Sequence, residues 1–215
     1  MKFRSYRPLA SLFALLFSTP LHAAVITQMT LPGSQDTTVW NSLGRGNVGM
    51  APAAGTGAVA VQAPGYQAGV GLYSYSTDYS ATITQASSFD MQTVIFQADL
   101  APNPEFPLPF SGGPLLSFNG GAQNLAASYF QILGTEIRNT SFGLQTYSGA
   151  AWQWDLSGLG ETINSVSVRQ PFSVHTTVAG LRIDSGSSFL QAVPEPSSAI
   201  LASLAAVAIA CRRRR

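Results

Sequence analysis

The sequence predicts an all-β fold, with two sheets packed as a β-sandwich in a jelly-roll-like arrangement. Three observations carry this prediction. Runs rich in Val, Ile, Thr, Tyr and Phe recur between residues 25 and 183, and Gly, Ser, Asn or Pro separate them. No stretch between the two chain ends holds a sustained helical period. A β-solenoid is the second choice, but no fixed repeat is present.

In chain order the predicted strands are Val25 to Leu31, Ala58 to Gln62, Gly69 to Tyr75, Ala81 to Thr84, Gln92 to Leu100, Tyr129 to Leu133 and Phe142 to Tyr147. Trp152 to Leu156, Ile163 to Arg169, Ser173 to Ala179 and Leu181 to Ile183 follow. Pro102, Pro104, Pro107, Pro109 and Pro114, with Gly112 and Gly113, remove ladder donors from the middle of the chain. That stretch reads as a surface loop, an edge crossing or a division between two subdomains.

With 215 residues the chain is long enough for one domain with a sizeable core. Its net charge of +1 hides a division. From Ala24 to Val193 four arginines face nine carboxylates and there is no lysine, a net charge of −5. Such a domain lacks the clustered cations that neutralise phosphates, so nucleic acid is not an expected partner. Cys211 is the only cysteine, which leaves the domain without a disulfide, a metal thiolate or a cysteine nucleophile. No residue set calls for a cofactor or a metal.

At the start, Lys2, Arg4 and Arg7 precede the apolar run Leu9 to Phe17, and Pro20-Leu21-His22-Ala23-Ala24 supplies a breaker followed by small residues. This is the three-part layout of a secretory signal peptide, cleaved after Ala23 or Ala24. The run is too short to span about 30 Å of hydrocarbon as a lasting anchor.

At the other end Val193-Pro194-Glu195-Pro196 precedes an apolar run from Ala199 to Cys211, and then Arg212, Arg213, Arg214 and Arg215. The two prolines keep the backbone extended around Glu195 and open to an enzyme's cleft. A helix over about residues 197–211 has room for a marginal, transient insertion into the inner membrane. The arginine cluster holds its end on the cytoplasmic side, leaving the motif just outside. The expected organisation is a signal peptide over 1–23, a secreted domain over 24–192 and a sorting tail over 193–215.

This order of motif, short apolar helix and terminal arginine cluster resembles the PEP-CTERM sorting signal of Gram-negative bacteria. The resemblance covers roughly the last 23 residues. It implies recognition by an exosortase, a membrane-embedded cysteine transpeptidase that cleaves near the motif and passes the protein outward. It also implies an association with exopolysaccharide and biofilm formation. Val193, Pro194, Glu195 and Pro196 are then substrate residues, and Cys211 is not the nucleophile.

Within the domain, Gly44-Arg45-Gly46-Asn47-Val48-Gly49 spells a dinucleotide fingerprint, but Met50 to Gly55 opens no helix to receive a pyrophosphate, so a glycine loop is expected. His175 stands without a nucleophile elbow or a partner set, which favours a hydrogen-bonded structural role. Asp155, Glu161 and Asp184 are the carboxylates that would serve a glycosidase if two of them met in a cleft.

Trp152-Gln153-Trp154-Asp155 places two indoles on one face of a strand. Exposed, that face is a platform for extracellular polysaccharide, with Asp155, Gln153 or Asn164 bonding to hydroxyls; buried, it is core. Tyr73, Tyr75 and Tyr79 form a second aromatic group. The expected function is a non-catalytic surface or matrix component, ahead of a carbohydrate-binding module and a secreted glycan hydrolase.

Overall fold

The computed structural model describes residues 25–106, 108 and 113–193, and these form twelve strands in two antiparallel sheets. The strands are β1 (Gln35–Trp40), β2 (Ala58–Gln62), β3 (Tyr66–Gln67), β4 (Leu72–Tyr73), β5 (Tyr79–Ala86) and β6 (Thr93–Ala101). They continue with β7 (Leu115–Phe118), β8 (Leu125–Ala126), β9 (Tyr129–Thr140), β10 (Gly143–Asp155), β11 (Ser165–Phe172) and β12 (Thr177–Gly186). The all-β expectation is met, and no helix occurs among the described residues.

The larger sheet runs β3-β4-β12-β6-β10-β9, and β1 joins β12 on the same side as β4. The smaller sheet runs β2-β5-β11-β7-β8. One core draws on both, because alternate residues of each strand share a face. Val94, Phe96, Ala98 and Leu100 of β6 meet Ala81 and Ile83 of β5 with Val166, Val168 and Phe172 of β11.

Strand β6 is buried at all nine positions, so something also covers its outer face. The cover comes from the two segments that flank the sheets in sequence. Residues 25–31, expected as a strand, form no ladder. Instead Gln97 of β6 bonds Thr27 at both backbone groups, its Oε1 accepting from N–H at 3.0 Å and its Nε2 donating to C=O at 2.7 Å. Thr27 thus pairs with a side-chain amide in place of a neighbouring backbone.

The close approach extends to Gly149 on β10, where an added Cβ would collide with the Val25 carbonyl. Leu31 with Ile95, Ala151 and Val193 then makes a second, smaller core on that outer face, flanked by Met29, Tyr129, Leu133 and Ala192. Leu133 reaches it from a register shift opposite Gly149 and Ala150.

Several strands differ from the sequence reading in extent. The segments expected at 142–147 and 152–156 are one strand, β10, and those at 173–179 and 181–183 merge into β12. Strand β1 lies in Gln-Asp-Thr-Thr, which carries little apolar signal; pairing with β12 from Gln35↔Gly186 to Trp40↔Leu181 makes it a strand.

Candidate functional site

Two places on the domain bear on function. The first is the junction with the tail. Residues 187–193 lie along the outer face of the larger sheet, and Gln153 of β10 holds them there. Its Oε1 accepts the N–H of Ala192 at 3.0 Å and of Val193 at 2.9 Å, and its Nε2 donates to the Leu190 carbonyl at 2.6 Å. Nε2 also donates to the Thr93 hydroxyl at 3.0 Å. Phe189 stacks on Tyr129 with centroids 6.2 Å apart. Val193 itself is fully buried in the second core.

Val193 is the last described residue of the strap. Pro194, Glu195 and Pro196 lie outside the described residues, as do the helix expected at 197–211, Arg212 to Arg215, and the cleavage positions Ala23 and Ala24. Gln153, expected as a hydrogen-bond partner for sugar hydroxyls, instead holds the strap, on the face opposite the two tryptophans.

The tryptophan pair corrects the saccharide-platform reading. Trp152 is 3% and Trp154 1% exposed. The two indoles do share a face, as alternation requires, but it is the face between the sheets. Trp152 stacks on Phe96 at 5.7 Å and tilts against Phe130 at 5.3 Å, and Trp154 Nε1 donates to the Leu125 carbonyl at 2.9 Å. Neither ring face is open to a sugar. Asp155 is exposed on the opposite side, where it accepts from the N–H and hydroxyl of Ser157.

The carboxylates expected for glycosidic chemistry are separately engaged. Both oxygens of buried Asp184 accept from Arg182, at 2.7 and 2.8 Å, and further bonds come from Thr37 and Gln97. Glu161 is exposed on a loop. Residues 44–49 form turns, closed by Asn47 N–H to the Gly44 carbonyl and Met50 N–H to the Asn47 carbonyl, with no helix after them.

A different charged group sits on the outer face. Asp99 accepts from Arg138 at 2.7 Å, Arg138 pairs also with Glu136 at 2.9 Å, and its guanidinium lies 4.4 Å from the centre of the Tyr147 ring. Burial pushes the Asp99 carboxyl above the usual range against the pull of Arg138.

The second place is a cleft of about 660 Å³ at one end of the sheets. Strand β6 ends at Ala101 and pairs with β10 only as far as Ser148↔Leu100, so the hairpin of β9 and β10 overhangs with its inner face uncovered. Leu144, Thr146 and Ser148 occupy that face, and Phe142 stands at its tip. Tyr73 and His175 form the opposite wall.

His175 is a built feature of this wall. Its φ is +66°, a conformation costly for a side chain with a Cβ. Surrounding bonds impose it: His175 N–H donates to the Ser74 carbonyl at 3.0 Å, and Val174 N–H to Asp78 at 2.8 Å. Asn103 Nδ2 donates to the Val174 carbonyl at 3.1 Å. The ring is fixed by the Tyr73 hydroxyl, 2.7 Å from Nδ1, and by the edge of Tyr75 at 5.5 Å.

Of the three tyrosines grouped in the sequence, Tyr73 and Tyr75 meet at His175. Tyr79 is buried, with its hydroxyl donating to the Leu72 and Thr176 carbonyls. Burial raises the Tyr79 phenol well above its ordinary value, which keeps it a neutral donor.

No curated protein and no solved structure matches the chain. Residues 192–215 match the PEP-CTERM protein-sorting motif, beginning one residue before the buried Val193. Such a motif indicates export, surface sorting and processing by an exosortase. The chain therefore carries a PEP-CTERM protein-sorting motif over residues 192–215, attached to a two-sheet β domain.

Proposed function

We propose that the protein is a non-catalytic component of an extracellular polysaccharide matrix, delivered by its tail as a folded β-sandwich domain. The carrying observation is the junction. The motif begins where the strap is locked into the sheet by Gln153 and Val193, so the domain and its sorting signal are separate pieces in direct succession.

In this reading the signal peptide leaves after Ala23 or Ala24. The helix over 197–211 holds the chain transiently in the inner membrane, and Arg212 to Arg215 keep its end inside. An exosortase then acts on Val193-Pro194-Glu195-Pro196. The engagement of Asp184 in bonds to Arg182, Thr37 and Gln97 supports a structural over a hydrolytic role for that carboxylate.

Fractionation of cells, medium and exopolysaccharide tests the proposal. The protein is expected with the polysaccharide, and loss of the Pro-Glu-Pro motif by triple alanine substitution is expected to strand it in the membrane fraction. Free protein in the medium with none on the polymer would contradict the matrix role. The second reading, a carbohydrate-binding module, is favoured by the cleft at His175.

A further inference from the structure

We propose that the cleft between the β9–β10 overhang and the Tyr73–His175 wall is a binding site for a neutral polysaccharide chain. The inference rests on the matrix reading and gives it a contact surface.

Three properties of the cleft point to this ligand class. Among the described residues no Asp, Glu, Lys or Arg lines it. An ionic polymer would find no counter-charge there, while an uncharged one pays no cost of stripping water from a charge. The walls also carry rings and apolar groups open to solvent. Phe142 in the lining is 86% exposed, Tyr73 lies on the His175 ring within it, and Tyr75, 75% exposed, packs on the same ring from just outside the lining. Sugar C–H faces stack on such surfaces.

The third property separates a sugar from a purely apolar partner. The Thr146 and Ser148 hydroxyls make no hydrogen bond with the described protein. They stand beside Phe142 and Leu144, so apolar contact and free donors and acceptors alternate along one wall. A hydroxylated ring needs both, whereas an apolar protein surface would leave the polar groups buried without partners. His175 completes the set: its Nδ1 is engaged by Tyr73, which fixes the ring and leaves Nε2 to a ligand hydroxyl. The strained backbone at His175 is held by bonds to three residues of two other segments, which pre-organises this wall before any ligand arrives.

The test is affinity electrophoresis of the protein recovered from producing cells, in native gels containing hydroxyethylcellulose, dextran or alginate. Sedimentation with phosphatidylglycerol vesicles runs in parallel. The wild type is expected to be retarded by at least one of the two neutral polymers. Tyr75→Ala combined with Phe142→Ala should weaken retardation about tenfold, the effect of losing two ring contacts. Both positions are exposed, so the fold tolerates the change. Val48→Ala, also exposed but outside the cleft, should leave retardation unchanged.

Absence of retardation by both neutral polymers would overturn the proposal, as would retardation by alginate alone or equal retardation of the double variant. Vesicle binding lost in the double variant, without polymer binding, would also overturn it and assign the face to a membrane. Processing of the tail, read by mass in the same samples, fails or succeeds independently of these results.

Discussion

The Gln153 side-chain oxygen accepts the Val193 backbone N–H at 2.9 Å, and the next residue is Pro194, the start of the Pro-Glu-Pro motif. An amide buried in the sheet thus holds the residue that directly precedes the Pro-Glu-Pro motif. A protease needs extended, accessible substrate, and Val193 is neither free at its N–H nor exposed at its side chain. The bond cut in sorting is expected to lie beyond Val193, so that the strap stays with the domain.

Replacing Gln153 by Ala should loosen the strap. It strips partners from Ala192, Val193 and Leu190 at once, at a cost of about 1–3 kcal/mol. For a domain of this size that lowers Tm by about 2–4 °C per kcal/mol. Thermal unfolding measures the shift, and limited proteolysis should show new cleavage within residues 187–193.

Trp152→Ala tests the burial of the tryptophan pair. Removal of a ring packed between Phe96 and Phe130 should cost about 3–5 kcal/mol. Denaturant unfolding reads the loss. An exposed saccharide platform would instead give a small change in stability.

Asp184→Ala should be among the most damaging single changes. It leaves Arg182 buried without its carboxylate, a loss of about 3–5 kcal/mol. The double change Arg182→Met with Asp184→Leu removes both charges and should recover much of that stability, as measured by chemical denaturation.

Asp99 carries a pH signature. Its carboxyl is raised in the folded state, chiefly by burial, so the folded form holds the proton more tightly than the unfolded one. The associated stability is fully present below the unfolded value and is lost as pH rises through the folded one. Compared with Asp99→Asn, the wild type should lose ground as pH increases from below 3.8 across that window. Paired thermal unfolding curves at stepped pH check the sign.

The two-sheet fold was legible because β5, β6 and β11 announce themselves by β-branched composition, and even the shared face of Trp152 and Trp154 followed from alternation. Which side that face turns to did not follow, since the smaller sheet that covers it is brought there by long-range pairing. Val25 to Leu31 has a strand's composition, yet it docks through the Gln97 side chain, an arrangement with no local sequence mark. The cleft was half legible: Tyr73 and Tyr75 stood out as a group. Their meeting with His175, about a hundred residues on, depends on the loops where β4 ends and β12 begins.

The most direct measurement is the intact mass of the protein recovered from envelope and medium, in the wild type and after alanine replacement of Pro194, Glu195 and Pro196. Wild-type protein lacking the residues up to Ala23 or Ala24 and truncated beyond Val193, with the tail retained only in the variant, is the predicted result. The full arginine-rich tail persisting in the envelope of both strains would contradict the sorting account.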